Sequence, residues 1–327
     1  MQTKEWPISR QVVALRRGPH ASSKRGIGFL REECADVMDK QQWTVPTAHL
    51  VLKLPGLRLS LLGLVPQQGR RDQMTSDHTH FGVNGETVKP APAEAMQFGR
   101  APIRILTTID RADDRFGPVC LSKIDLSDGF HRLWVWPKDT AHLAILFPTW
   151  EGEPPLVGIP LTNPMGWCES PPNFSAFTKT AADLANTALA TQGAMEQARQ
   201  RQHRLDQVSE TPPTETQVPQ RPIAIREATN PWKQPVRTWD ICVDDFLGLA
   251  QGNKWQQRAV KRILFHSLDQ VFQPLDPNDT KFRQEPASMK KLCKGDATWT
   301  TSKVILRWLV DTAAKTITPP KHCVLQL

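Results

Sequence analysis

Two adjacent aspartates, Asp244 and Asp245, stand inside an otherwise apolar run, WDICVDDFLGLAQ, at residues 239–251. Burying one ionised carboxylate costs several kcal/mol, and a second beside it adds repulsion unless a cation compensates. The pair therefore calls for a metal ion or a basic partner. A third acid, Asp125, closes the apolar stretch VCLSKIDL (119–126) far upstream, so only tertiary folding unites it with the other two. Three carboxylates brought together can hold two Mg2+ ions, with Mn2+ as the alternative, about 3.5–4 Å apart. That arrangement serves in-line phosphoryl displacement. Taken singly, each signal is weak, because an isolated Asp-Asp is usually a solvated turn and an isolated Asp at a strand end is usually a cap.

The elements that must position these acids are legible in outline. VRTWDICVDDFLGLAQ, Val236 to Gln251, predicts a β-hairpin with Asp244 and Asp245 at its turn. The stretch 119–126 predicts a strand with Asp125 near its C-terminal end, and HRLWVWP, HLAILF and LVGIPL predict three further strands. Ile27, Leu30, Cys34, Val37 and Met38 fall on one helical stripe. A helix is expected from Pro172, and another after a cap at Asn253, with Trp255, Val260, Ile263, Leu264, Leu268, Val271 and Phe272 near helical spacing. Residues 48–66 are short apolar runs broken by Pro and Gly, and QQGRR follows as a hairpin tip with Arg70 and Arg71 beside its Gly, which predicts strand, basic turn and strand. KVILRWLVDTAAKTITPP predicts a last hairpin.

Composition bounds the rest. The chain has 327 residues, 39% of them hydrophobic, enough for one large or two modest domains with a sizeable core. A net charge of +8 favours a polyanionic partner or an anionic surface. The six cysteines show no C-x-x-C pair and no His clustering at zinc-ligand spacing, so neither a zinc ribbon nor a disulfide framework is suggested. The most apolar stretch, 49–66, is broken by Lys53, Pro55 and Arg58 and cannot cross a bilayer, and no signal-peptide core opens the chain. An intracellular protein that is neither secreted nor membrane-spanning is expected. Residues 188–237 are rich in Gln, Pro and charge, which predicts a mobile insert. There is no tyrosine, against 11 Trp and 12 Phe.

The order of these motifs resembles the polymerase domain of reverse transcriptases, in particular those of LTR retrotransposons and retroviruses. KIDLSDGFHRLWV is similar to their first palm motif, PMGWCESPPNF to P-x-G-W-x-x-S-P-x-x-F, ICVDDF to Tyr-x-Asp-Asp, and VILRWLVD to a late Leu-Gly-Trp strand. LGLVPQQGRRDQMTSDHTHFGVN is similar to their fingers hairpin, and the match runs in order from about residue 27 to 318. The resemblance implies an α+β, right-hand fold of fingers and palm with the thumb largely missing. It divides the chain into a basic N-terminal segment (1–26), fingers (27–118), first palm part (119–187), insert (188–237) and second palm part (238–327).

It also implies roles. Asp125, Asp244 and Asp245 become the catalytic acids and metal ligands, and RNA or DNA template, primer and dNTPs become the partners. Phe130 would exclude a 2′-hydroxyl, where RNA-synthesising relatives carry an Asp that accepts from it. Met165 and Gly166 would approach the incoming nucleotide, Arg70 and Arg71 its triphosphate, and Trp167, Cys242 and Trp308 the template and primer. On the residues alone, Phe130, Met165 and Trp167 suit a core equally well, and Arg70 and Arg71 suit a solvated turn.

Several positions depart from the pattern. Cys242 stands in place of Tyr, Gln73 in place of a triphosphate-binding Arg, Arg307 in place of Gly, and His78 and His131 in place of aromatic rings. Glycine at the position of Arg307 would tolerate a positive φ, which arginine tolerates poorly. Two functions follow: DNA synthesis by a retroelement polyprotein, or a degenerate remnant that binds nucleic acid without turnover.

Overall fold

The computed structural model describes residues 5–67, 71–89, 96, 98–208, 223–225, 232–274, 276, 278 and 285–319. In chain order the helices are α1 (Ile8–Arg17), α2 (Ala21–Arg25), α3 (Ile27–Asp39), α4 (Ala48–Val51), α5 (Ala101–Asp110), α6 (Pro137–Thr140), α7 (Ser170–Ala190), α8 (Ala194–Gln200), α9 (Lys254–Phe272) and α10 (Met289–Cys293). The strands are β1 (Trp43–Thr44), β2 (Leu59–Val65), β3 (Gln73–Asp77), β4 (Cys120–Asp125), β5 (Ala144–Phe147) and β6 (Leu156–Pro160). After α7 come β7 (Ile223–Ala224), β8 (Arg237–Cys242), β9 (Asp245–Ala250), β10 (Ser302–Ile305), β11 (Trp308–Asp311) and β12 (Thr316–Thr318). The fold is α+β, as expected. It divides into two compact units, one of Met1–Ala95, Asp128–Phe174 and Asp279–Phe282, the other of Met96–Ser127, Ser175–Asn278 and Arg283–Leu327.

The first unit is built on a five-stranded sheet of order β1-β6-β5-β2-β3, in which only β2 and β5 run parallel. Its core gathers Leu59 and Leu61 of β2 with Leu143, Leu146, Val157 and Trp167. The predicted helix is α3. Leu30, Cys34 and Val37 are buried against Leu62 and Ile145, Leu30 and Val37 each contributing about 1.5–3 kcal/mol, whereas Met38 faces water. The predicted strand HRLWVWP does not form. Val135 N–H donates to Leu161 O and Trp134 bridges Thr162, but Pro137, which has no N–H, opens α6 and ends the pairing. Trp134 and Trp136 are left 58% and 74% exposed.

The second unit carries the acids. Strands β4, β9 and β8 form an antiparallel sheet with β9 in the middle, and β10, β11, β12 and β7 form a second one. On the central sheet, alternation separates two faces. Leu121, Leu247 and Leu249 join Ile105 and Ile109 of α5 and Ile305 and Val310 of the terminal hairpin in one core. Trp239 and Phe246 belong to the other face, where Trp239 Nε1 donates to Val260 O of α9 at 3.2 Å. Helix α9 opens with the predicted cap: Asn253 Oδ1 accepts from Gln256 N–H, and Gln256 Oε1 accepts from Asn253 N–H. Part of the stretch expected to be mobile forms structure. Helix α8 packs along α9, and Arg262 of α9 donates to the carbonyls of Ala198 and Arg199 that end α8. Much of the remainder, 209–222 and 226–231, lies outside the described residues.

Two backbone positions make measurable demands. β10 and β11 are joined by a two-residue turn in which Leu306 (φ 49°) and Arg307 (φ 68°) are both left-handed, the conformation of a type I′ turn that favours Asn-Gly. Gly166 has φ 98°, and a Cβ there would lie 2.0 Å from the Ser76 carbonyl oxygen. Arg307→Gly is therefore expected to raise stability by about 1 kcal/mol, read as a higher denaturant midpoint at unchanged slope. Gly166→Ala is expected to lower it by more than about 2 kcal/mol, because backbone must move. An unchanged midpoint in either variant would refute the corresponding assignment.

Candidate metal centre

The three aspartates converge. In the antiparallel register of β4 and β9, Asp125 lies directly opposite Asp245, so both side chains leave the sheet on the same face. Cys242, at the end of β8, is the other cross-strand neighbour of Asp245. Val243 and Asp244 make the connecting two-residue turn. One ligand oxygen from each of Asp125, Asp244 and Asp245 can be chosen so that all lie within 4.8 Å of one another. The main chain fixes them further: Leu126 N–H donates to Asp244 O at 3.1 Å, and Ser288 N–H donates to Asp125 O at 2.8 Å.

Electrostatics mark this cluster as crowded. Burial, then the adjoining Asp245 carboxyl, push Asp125 up to about 7 against the opposing pull of Lys291. Asp244 is also raised, by burial and then by Asp245. Two lysines offset part of the charge, with Lys291 Nζ 2.6 Å from Asp125 Oδ1 and Lys123 Nζ 2.9 Å from Asp245 Oδ2. Burial works against the Lys291 ammonium, but Asp125, Asp245 and Asp244 outweigh it and raise its pKa. Asp245 Oδ1 is buried and receives no hydrogen bond among the described residues. Convergent carboxylate oxygens with excess negative charge and an unserved buried acceptor are the donor set of a hard divalent cation such as Mg2+.

Neither lysine was singled out by sequence reasoning. Lys123 had a signal, since it lies two residues before Asp125 and so shares its face of β4. Lys291 had none, because its position depends on how α10 returns to the end of β4.

A second cluster, His203, His266 and Asp269, is equally tight but is committed to ion pairing. Leu205 N–H donates to His203 Nδ1, which leaves the ring proton on Nε2, 2.9 Å from Asp269 Oδ2. The Arg204 guanidinium also donates to Asp269, at 2.7 Å to Oδ1. The hydrogen bonds from Arg204 and His203 outweigh burial and bring Asp269 down to about 2.

Other predicted site residues take varied places. In the second unit, Cys242 is half-buried, its thiol raised by burial and then by Asp245 and Asp244. Trp308 is 41% exposed and lines an apolar cavity of about 230 Å³ with Ile105, Leu306 and Ile317. The first unit holds the remainder. Phe130 is half-buried and edge-on to Phe174, with ring centroids 5.2 Å apart. Met165 is exposed, and its sulfur accepts from Gln73 Nε2 at 2.8 Å.

Asn84 clamps the loop that carries Gly166, donating to Gly166 O and accepting from Cys168 N–H, both at 3.0 Å. Trp167, expected at the template, is instead buried in the core with its Nε1–H donating to Thr87 Oγ1 at 3.2 Å. Arg71 is paired with Glu33, and its guanidinium lies 5.3 Å from the centre of the Phe29 ring. Arg70 lies outside the described residues. His78, at a position with an aromatic in related sequences, is fully buried, its Nδ1 2.8 Å from Ser60 Oγ, and burial lowers it to about 4.

No protein-family model matches the chain, and no curated protein matches it. Among solved structures it is similar to a foamy viral protease-reverse transcriptase in complex with double-stranded DNA, at 18% identity and a TM-score of 0.47 over 85% of this chain and 32% of that one. It is also similar to the native protease-reverse transcriptase of prototype foamy virus, at 16% identity and a TM-score of 0.44 over 94% of this chain and 27% of that one. The chain thus spans about a third or less of the length of the structures it matches. No helix among the described residues is long and apolar enough to cross a membrane.

Proposed function

We propose that the chain performs template-directed DNA synthesis, transferring a deoxynucleotide from a dNTP to a primer 3′-hydroxyl on an RNA or DNA template, as the fingers and palm of a retroelement polyprotein. The observation that supports this is the convergence of Asp125, Asp244 and Asp245 from distant parts of the sequence onto one end of one sheet. Bound Mg2+ supplies neutralisation of charge on the carboxylates and triphosphate and a lowered pKa for the attacking hydroxyl.

The chain's own residues do the positioning. Cross-strand register holds Asp125 and Asp245 side by side, and Lys291 and Lys123 restrain their carboxyls through ion pairs. Phe130, held by Phe174, presents a ring that offers no acceptor or donor to a 2′-hydroxyl, which supports deoxynucleotides as substrates. Met165 is open to solvent beside the glycine that its loop requires.

A second reading, nucleic-acid binding without turnover, is favoured by the described part of the fingers hairpin, which offers a triphosphate no free guanidinium. Arg71 is engaged by Glu33, and neutral Gln73 is directed at Met165. Primer extension with Mg2+ and dNTPs on an RNA template separates the two. Synthesis is expected in the native chain and is expected to fall by at least about 10³-fold in Asp244→Asn, as for removal of a group that acts in the transition state. Incorporation no greater than in that variant would overturn the synthetic reading. Recovery in Gln73→Arg/Cys242→Tyr would then show that the acids remain competent and that their support had been lost.

A further inference from the structure

From Lys254 through Leu268, helix α9 carries the bases Lys254, Arg258, Lys261 and Arg262 and no acid. Arg262 turns inward and is consumed by structure, its Nε donating to Asp206 Oδ2 at 2.8 Å and its Nη1 to two carbonyls of α8. The other three recur at i, i+4 and i+7 and line an open pocket of about 320 Å³ with Gln257, Asp206 and Trp299. Lys254 and Arg258 are exposed and have no acidic partner among the described residues. Asp206, the acid on the lining, already accepts from Arg262. Trp299 adds its half-buried indole to the lining.

The pocket is distinct from the aspartate cluster. Helix α9 covers the sheet face that carries Trp239 and Phe246, and Trp299 approaches Gly248 on that same face. Asp125 and Asp245 alternate onto the opposite face with Leu247 and Leu249. The three cations span seven residues of helix, about 10 Å at 1.5 Å per residue, which is longer than one phosphate group. A row of ammonium and guanidinium groups along an open pocket suits a chain of phosphates, with the guanidinium fork matched to their oxygens.

We propose that this pocket binds the phosphodiester backbone of single-stranded nucleic acid, at a site that stands on α9 and Trp299 and is independent of the aspartates. The test is fluorescence anisotropy with labelled oligo(dT). Lys254→Glu/Arg258→Glu is expected to weaken binding at least tenfold and to lower the salt slope by about 1.4, two contacts at roughly 0.7 each. The exposed control pair Lys24→Glu/Lys53→Glu makes the same change in net charge and is expected to weaken binding by less than about threefold. The milder Lys254→Gln/Arg258→Gln is expected to act in the same direction as the reversal.

Equal losses in the two reversed pairs would reduce the effect to net charge and overturn the site. So would undiminished affinity in the Lys254/Arg258 variants. Calorimetry with inorganic phosphate distinguishes a free anion from a strand: phosphate binding lost in the variant while oligo(dT) binding persists would overturn the strand assignment. Primer extension reports separately on the aspartates. Failed extension with variant-sensitive oligo(dT) binding would remove the polymerase reading and leave this site in place.

Discussion

The acidic end of the central sheet depends on one register. Asp125 faces Asp245 only because Leu121 faces Leu249 and Lys123 faces Leu247 in the same ladder. A slip of β9 by one residue against β4 would turn Asp245 onto the α9 face, away from Asp125, and carry Leu247 and Leu249 out of the core they share with α5 and the terminal hairpin. Apolar burial thus imposes an arrangement that electrostatics resists. Packing of the leucines holds two carboxylates where, unassisted, they would separate, and Lys123 and Lys291 offset part of the repulsion.

That constraint explains the layout of the second unit. Every position of β9 after Asp245 is buried, so the central strand has apolar neighbours on both faces, and charge is tolerated only where the strand leaves the sheet. The faces then serve different ends. One receives α5, through Arg104 Nε donating to Asp240 Oδ2 at 2.7 Å, and carries the acids. The other receives α9 and is sealed by Trp239. Bases on the outer side of α9 lie beyond that seal, which is why the two charged regions have opposite signs without neutralising each other.

What could be read from the sequence was local. The hairpin of β8 and β9, strand β4, helix α3 and the cap of α9 are each specified by patterning and a few turn or capping residues within one window. The aspartate cluster was legible from motif order, because neither spacing nor periodicity relates Asp125 to Asp244. Three features were hidden. Helix α8 lies in a segment whose composition suggests no structure, and its end is held by Arg262, far along the chain. Trp167 carries the same side chain whether it meets a ligand or a core, and only the tertiary packing that places it among Leu59, Leu61 and Val157, with Thr87 accepting its Nε1–H, makes it a core residue. The alternation in HRLWVWP imitates a strand, but Pro137 removes the donor that a continuing ladder needs.

The departures at the acidic hairpin are absorbed at unequal cost. Cys242 is small, and its thiol is raised, so it stays neutral near neutral pH and adds no charge beside the aspartates. Val243 is the expensive position. It has φ 60° in a two-residue turn whose next residue, Asp244, is not left-handed, the pattern of a II′-like turn that normally places glycine first. A β-branched side chain there costs on the order of 1–3 kcal/mol and persists only where the surroundings over-determine the backbone. The surroundings do so: Cys242 is paired with Asp245, Asp245 with Asp125, and the Asp244 carbonyl with the Leu126 amide. The strain is therefore the local cost of turning the chain between two fixed strands, and it is borne at the residue that brings Asp244 alongside the other acids.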